Sequence, residues 1–85
     1  MDINKIKEEI RSFLIENFDI DKDDNEFTDD VDFFTYGYVD SFGAAEIISF
    51  IEENFNIEVS NKDLVKYPMT SIDEIAHYIS IKKGA

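Results

Sequence analysis

Apolar residues recur at helical spacing in three stretches of the chain, and the segments between them do not follow that rhythm. Ile3, Ile6, Ile10, Phe13 and Leu14 form one stripe, with Lys5, Lys7, Glu8, Glu9, Arg11 and Ser12 on the other face. This predicts an amphipathic helix that starts after Asp2, a capping residue, and runs to about Asn17. Phe42, Ala45, Ile48, Ile51 and Phe55 make a second stripe. They predict a helix from Ser41 to about Phe55, with Asp40 offering its side-chain oxygen to the unpaired amides of the first turn. Ile72, Ile75, Ala76 and Ile79 make the third. That helix opens on a capping box, Ser71-Ile72-Asp73-Glu74, and closes on Gly84. Lys82 and Lys83 lie at its end, where the helix dipole favours cations.

The remaining segments read differently. Ser60-Asn61-Lys62-Asp63 resembles a capping box with a shortened acid and predicts a short helix through Tyr67, stopped by Pro68. Ile57-Glu58-Val59 alternates like a strand, but with no partner strand it is expected to be an extended linker. From Asp19 to Asp40 the chain is polar, interrupted by Phe27, Val31, Phe33, Phe34, Tyr36 and Tyr38. A connection of this length in a small domain needs anchors. Phe27, Phe33 and Phe34 are expected to pin it to the core around a short helical turn. The predicted fold is therefore all-α, a small bundle of three main helices and a short one before the last.

Composition narrows the class. At 85 residues, 44% of them hydrophobic, the chain has room for one core, and residues 1–85 are expected to form a single domain. It has no cysteine, which removes disulfides and thiolate metal sites. Met1 to Phe18 is amphipathic and carries Glu8, Glu9 and Glu16, unlike a signal peptide, and no apolar run approaches the ~20 residues that cross a bilayer. The expected location is the cytoplasm. The formal net charge is −12. Between Glu16 and Asn61 there are fourteen acidic residues and a single base, Lys22. That field opposes nucleic acid and anionic membranes and steers basic protein surfaces toward the middle of the chain.

Two sites of possible chemistry emerge. Ser41 lies at the predicted start of the second helix, where an attached anion would meet the positive end of the helix dipole. Nucleophilic catalysis by Ser41 would need an adjacent base. The sole histidine, His77, falls in the last helix, so no catalytic residue is assigned. Asp19, Asp21, Asp23 and Asp30 have the one-three-five and twelve spacing of a calcium loop. Asp24, however, stands where that loop needs glycine, Glu26 where it needs an apolar residue, and Asp30 replaces the bidentate glutamate. No metal site is expected.

The block from Asp32 to Val59, DFFTYGYVDSFGAAEIISFIEENFNIEV, resembles the centre of acyl and peptidyl carrier proteins. Its frame of aromatic residues, Gly37, Asp40-Ser41, an apolar helix, an acidic cluster and Ile57-Glu58-Val59 is far more specific than an Asp-Ser pair alone. The resemblance implies that Ser41 carries 4′-phosphopantetheine, donated by coenzyme A, with Asp40 as the flanking acidic residue. It implies a carrier and not an enzyme, holding an acyl or aminoacyl group as a thioester. Partners would be a phosphopantetheinyl transferase, a loading ligase and a downstream transferase with basic docking surfaces. They would read a face formed by Asp40, Phe42, Ala45, Glu46, Glu52 and Glu53 on a monomeric carrier. Val39-Asp40-Ser41-Phe42-Gly43 is most similar to stand-alone D-alanyl and aminoacyl carriers, since fatty-acid carriers usually continue Asp-Ser-Leu and then an acid. Ile48, Ile51, Phe55, Val59, Leu64, Ile72, Ile75 and Ile79 are expected to fill the core. The alternatives are a calcium-responsive module using Asp19–Asp30 and a helical adaptor with an unmodified Ser41.

Overall fold

The first helix begins where the sequence places a cap. In the computed structural model, which describes residues 2–84, α1 spans Ile3–Asn17 and the Asn4 amide donates to the Asp2 carboxylate at 3.0 Å. Its buried stripe is Ile6, Ile10 and Leu14, while Phe13 is half-buried and Ile3 lies at the exposed end. Helix α2 spans Gly43–Phe55 and ends on Asn56 in the left-handed conformation. Helix α3 spans Asn61–Lys66, and α4 spans Ile72–Lys83 and closes on Gly84 at φ 72°. Among the described residues there is no strand, so Ile57–Val59 is the extended linker expected, with Ile57 turned into the core.

One core holds these pieces. Tyr78, Phe33, Ile6, Ile10, Leu14, Ile51, Ile72, Ile75 and Ile79 are fully buried. Helices α1 and α4 pack directly on each other. Their contact is rimmed by Lys7 and Asp73, whose charged atoms meet at 2.8 Å. The radius of gyration of 12.0 Å matches the ~12 Å expected of a folded chain this long.

The long connection is anchored from both ends. Phe27 and Phe33 are buried and Phe34 is half-buried against Phe33. Arg11 reaches out of α1 to donate to the Phe27 carbonyl and the Asp29 carboxylate, each at 2.8 Å, and its guanidinium lies over the Phe27 ring. The Phe33 amide donates to the Thr70 carbonyl and the Asp73 amide to the Asp29 carbonyl, which stitches the connection to the start of α4. Asp32 accepts from the Thr35 and Phe34 amides at the short helical turn, and these bonds, Thr35's first, hold its carboxyl below the usual carboxylate range against the opposing effect of burial.

Three expectations shift. The buried stripe of α2 is Gly43, Ile47, Ile51 and Phe55, so Phe42 and Ala45 are exposed and Ile48 is half-buried. Leu64 is 44% exposed instead of buried, because the preceding residue, Asp63, takes the inward position on α3. Asp63 accepts from the Tyr78 hydroxyl at 2.8 Å and pairs with Lys82 at 3.2 Å. At the head of α4, Ser71 caps the Glu74 amide as expected, but the Glu74 carboxylate bonds the Thr70 amide and hydroxyl rather than completing the box.

Candidate functional site

Phe33 and Val39 bracket a tight excursion of the chain that presents residues 40–42. The Val39 amide donates to the Phe33 carbonyl at 3.0 Å, and Gly37 turns the loop at φ 79°, a conformation that favours glycine. Asp40 then receives the Gly43 amide on both its carboxylate and its carbonyl, each at 3.0 Å. The bond expected of a cap is made, but it does not cap α2, whose N-cap is Phe42 with no side-chain hydrogen bond. It closes a turn over Ser41 and Phe42 before regular α2 hydrogen bonding starts at Gly43, two residues later than the apolar pattern predicted.

Gly43 lets this turn lie against the body. A β-carbon there would stand 2.6 Å from both Phe18 Cε1 and Val39 Cγ1. The missing side chain seats the start of α2 on Phe18 and Val39, and residues 40–42 are lifted outward. Ser41 is exposed, Asp40 is exposed, and Phe42 is 85% exposed.

The other residues expected to read as one acidic face divide. Ala45, Glu46 and Glu53 are exposed along α2. Glu52 is half-buried and accepts the Val59 amide at 3.0 Å, so one of its oxygens tethers the linker after α2. His77 is exposed on α4, and no hydrogen bond or ion pair among the described residues joins it to Ser41. The calcium-loop acids have separate tasks. Asp21 bonds the Asp23 amide, Asp24 takes the Glu26 amide and the Tyr38 hydroxyl, and Asp30 takes the Thr28 hydroxyl. Among the described residues, no group of three or more such ligands converges on a possible metal position.

A family profile described as the phosphopantetheine attachment site matches residues 8–79, most of the chain and all of the loop–α2 unit just described. The chain belongs to the phosphopantetheine-dependent carrier proteins. It is also similar to a curated acyl carrier protein of Akkermansia muciniphila, 30% identical over 84 residues, covering 99% of this chain and 100% of that one. No solved structure matches it. The cofactor of this carrier is 4′-phosphopantetheine, held covalently, and its family does not itself catalyse. The residues fit such a group at the head of α2. A hydroxyl is exposed there, no β-carbon at position 43 crowds the turn, and the positive end of a 13-residue helix follows two residues on, where it would favour a phosphate. No helix among the described residues is long and apolar enough to cross a membrane.

Sequence reasoning missed two features of the surroundings. Gly43 figures in the sequence only as part of the Asp-Ser-Phe-Gly motif, and its close packing goes unseen because glycine contributes nothing to an apolar count, although a glycine in a helix's first turn signals close approach. Phe50, off the apolar stripe, stacks on Phe13 of α1 at 4.2 Å with the rings 20° apart. An aromatic residue off the expected stripe was the available clue.

Proposed function

We propose that Ser41 is the attachment residue and that the protein shuttles an aminoacyl group, of the D-alanyl type, between enzymes acting in trans. The observation that carries this reading is the exposed Ser41 on a turn closed by Asp40 and seated by Gly43. Bound to the serine, the arm supplies a terminal thiol that holds cargo as a thioester. The protein's own residues do the rest. Asp40 fixes the turn, Gly43 keeps it flush with the body, and the field of fourteen acids in the middle of the chain draws basic partner surfaces. Asp40, Phe42, Ala45, Glu46 and Glu53 present the face that a transferase, a loading ligase and a downstream acceptor would read. Glu52 joins it with the oxygen not bonded to Val59.

Packing favours a small cargo. The apolar cleft beside α2, between Phe34, Ile47, Ile48, Leu64 and Met69, holds 90 Å³. That is below the ~150 Å³ that accommodates benzene in a protein core, which suits an aminoacyl group carried in solvent over a sheltered long chain. The surface charge suits a monomer working in the cytoplasm.

The test has two stages. Protein converted by a broad-specificity transferase and coenzyme A is digested, and the modified peptide is identified by mass; it is expected to contain Ser41 and not Ser49. The holo form is then offered to amino-acid and fatty-acid ligases. Hydroxylamine-labile loading by the amino-acid ligases alone supports the cargo assignment, and loading only with long acyl chains overturns it.

A further inference from the structure

We infer that the groove between α1 and α2 is a docking seat for a basic amphipathic helix on a partner protein. The groove has a volume of about 960 Å³. Its floor is the stacked, half-buried pair of Phe13 and Phe50, which edge contacts to Phe18 and to the buried Phe55 brace from outside the lining. Aromatic rings held this way offer a rigid apolar platform. Glu8, Glu9 and Glu16 line it from α1, and Glu46 and Glu53 from α2; all five are exposed.

Charge identifies the occupant. Among the described residues the three ion pairs use Asp29, Asp63 and Asp73, and none uses these five glutamates. Lys5 is the single base in the lining. An apolar floor between carboxylate walls matches a helix with aliphatic side chains on one face and lysine or arginine along its flanks. Strand addition has no sheet edge to use, because the described residues contain no strand. The α1 wall from Lys5 to Asn17 runs about 18 Å, over three turns, which accommodates anchors placed one turn apart.

Position adds the functional sense. Ala45 and Glu46, in the first turn of α2, form one end of the groove, four and five residues after Ser41 in the chain. A helix seated there would hold a partner beside whatever Ser41 carries. The inference deepens the carrier reading and rests on it for the partner's identity, and it adds α1 to a surface otherwise confined to α2.

The probe is a fluorescein-labelled peptide of about 14 leucines and lysines in amphipathic helical order, with a shuffled peptide of the same composition as control. Binding is followed by anisotropy and by amide chemical shifts. The ordered peptide is expected to bind more tightly than the shuffled one and to shift amides near Phe13, Glu16, Phe50 and Glu53. The Glu9→Lys/Glu53→Lys variant should lose affinity about tenfold. The variant Asp21→Lys/Asp23→Lys, with the same net charge, should lose less than about twofold. Equal losses in the two variants, equal binding of the two peptides, or shifts centred on the 19–30 loop would overturn the proposal. Ser41→Ala should bind the peptide as wild type does. Absent modification at Ser41 with groove binding intact would therefore sink the attachment assignment alone.

Discussion

Replacing Gly43 with alanine tests how the head of α2 is seated. The new β-carbon would lie 2.6 Å from Phe18 Cε1, 2.6 Å from Val39 Cγ1 and 3.0 Å from Phe18 Cζ. Carbon atoms settle at about 3.5–4.0 Å, so the ring and the valine must each retreat by about 1 Å. Val39 is 2% exposed and has little room to do so. Overpacking of this kind typically costs about 1–3 kcal/mol. Alanine is favoured over glycine by up to about 1 kcal/mol within a helix, and by less in its first turn. The net expectation is destabilisation by about 1–2 kcal/mol, a fall in Tm of about 5–15 °C for a domain this size. Thermal and urea unfolding followed by circular dichroism would measure it, with Gly37→Ala as a contrast. Gly37 has nothing within 4 Å of its added carbon but a φ of 79°, so its penalty comes from backbone strain alone. An unchanged or raised Tm for Gly43→Ala would refute the close seating of α2 on Phe18 and Val39.

Three further outcomes follow from the interior. Tyr78→Phe removes the hydroxyl that donates to Asp63 at 2.8 Å and should lower Tm by about 5 °C in a thermal melt. Asp63 is held below the usual carboxylate range, first by the Tyr78 hydroxyl and then by Lys82 and the Ser60 amide, against the opposing effect of burial. A depressed carboxylate contributes stability above its unfolded pKa and loses it as pH falls through the folded value. The stability gap between wild type and Asp63→Asn, read by urea titration, should therefore be full at pH 7 and close below about pH 4. Arg11→Lys keeps the charge but forfeits the two-pronged grip on Phe27 and Asp29 and the stacking on Phe27. Amide hydrogen exchange across residues 19–35 should accelerate while α4 stays protected.

Helix order, caps and anchors were legible because each depends on neighbours in sequence. Asp2, Ser60 and Ser71 cap the helices their positions announce, and Phe27 and Phe33 are buried in the loop they were expected to pin. The phase of α2 was not legible. Counting Phe42, Ala45 and Ile48 as its inner face ignored Gly43, whose lack of a side chain is what brings that end of the helix inward, and Phe42 was thereby turned out to solvent. The Asp63–Tyr78 bond links residues fifteen apart through the fold, and Glu52 is captured by the Val59 amide seven residues on. Neither leaves a local signature. At the site, Asp40 and Ser41 stood out as a cap and a helix-start serine. Their outward lift depends on contacts with Phe18 and Val39 that no periodicity reports.

The central claim is that Ser41 carries the arm, and intact mass before and after incubation with coenzyme A and a broad-specificity phosphopantetheinyl transferase tests it most directly. Wild type is expected to gain one phosphopantetheine. Ser41→Ala, with its fold confirmed by an unchanged circular dichroism spectrum, is expected to gain none. A wild-type protein that stays unmodified, or a Ser41→Ala protein that still gains the group, would contradict the account.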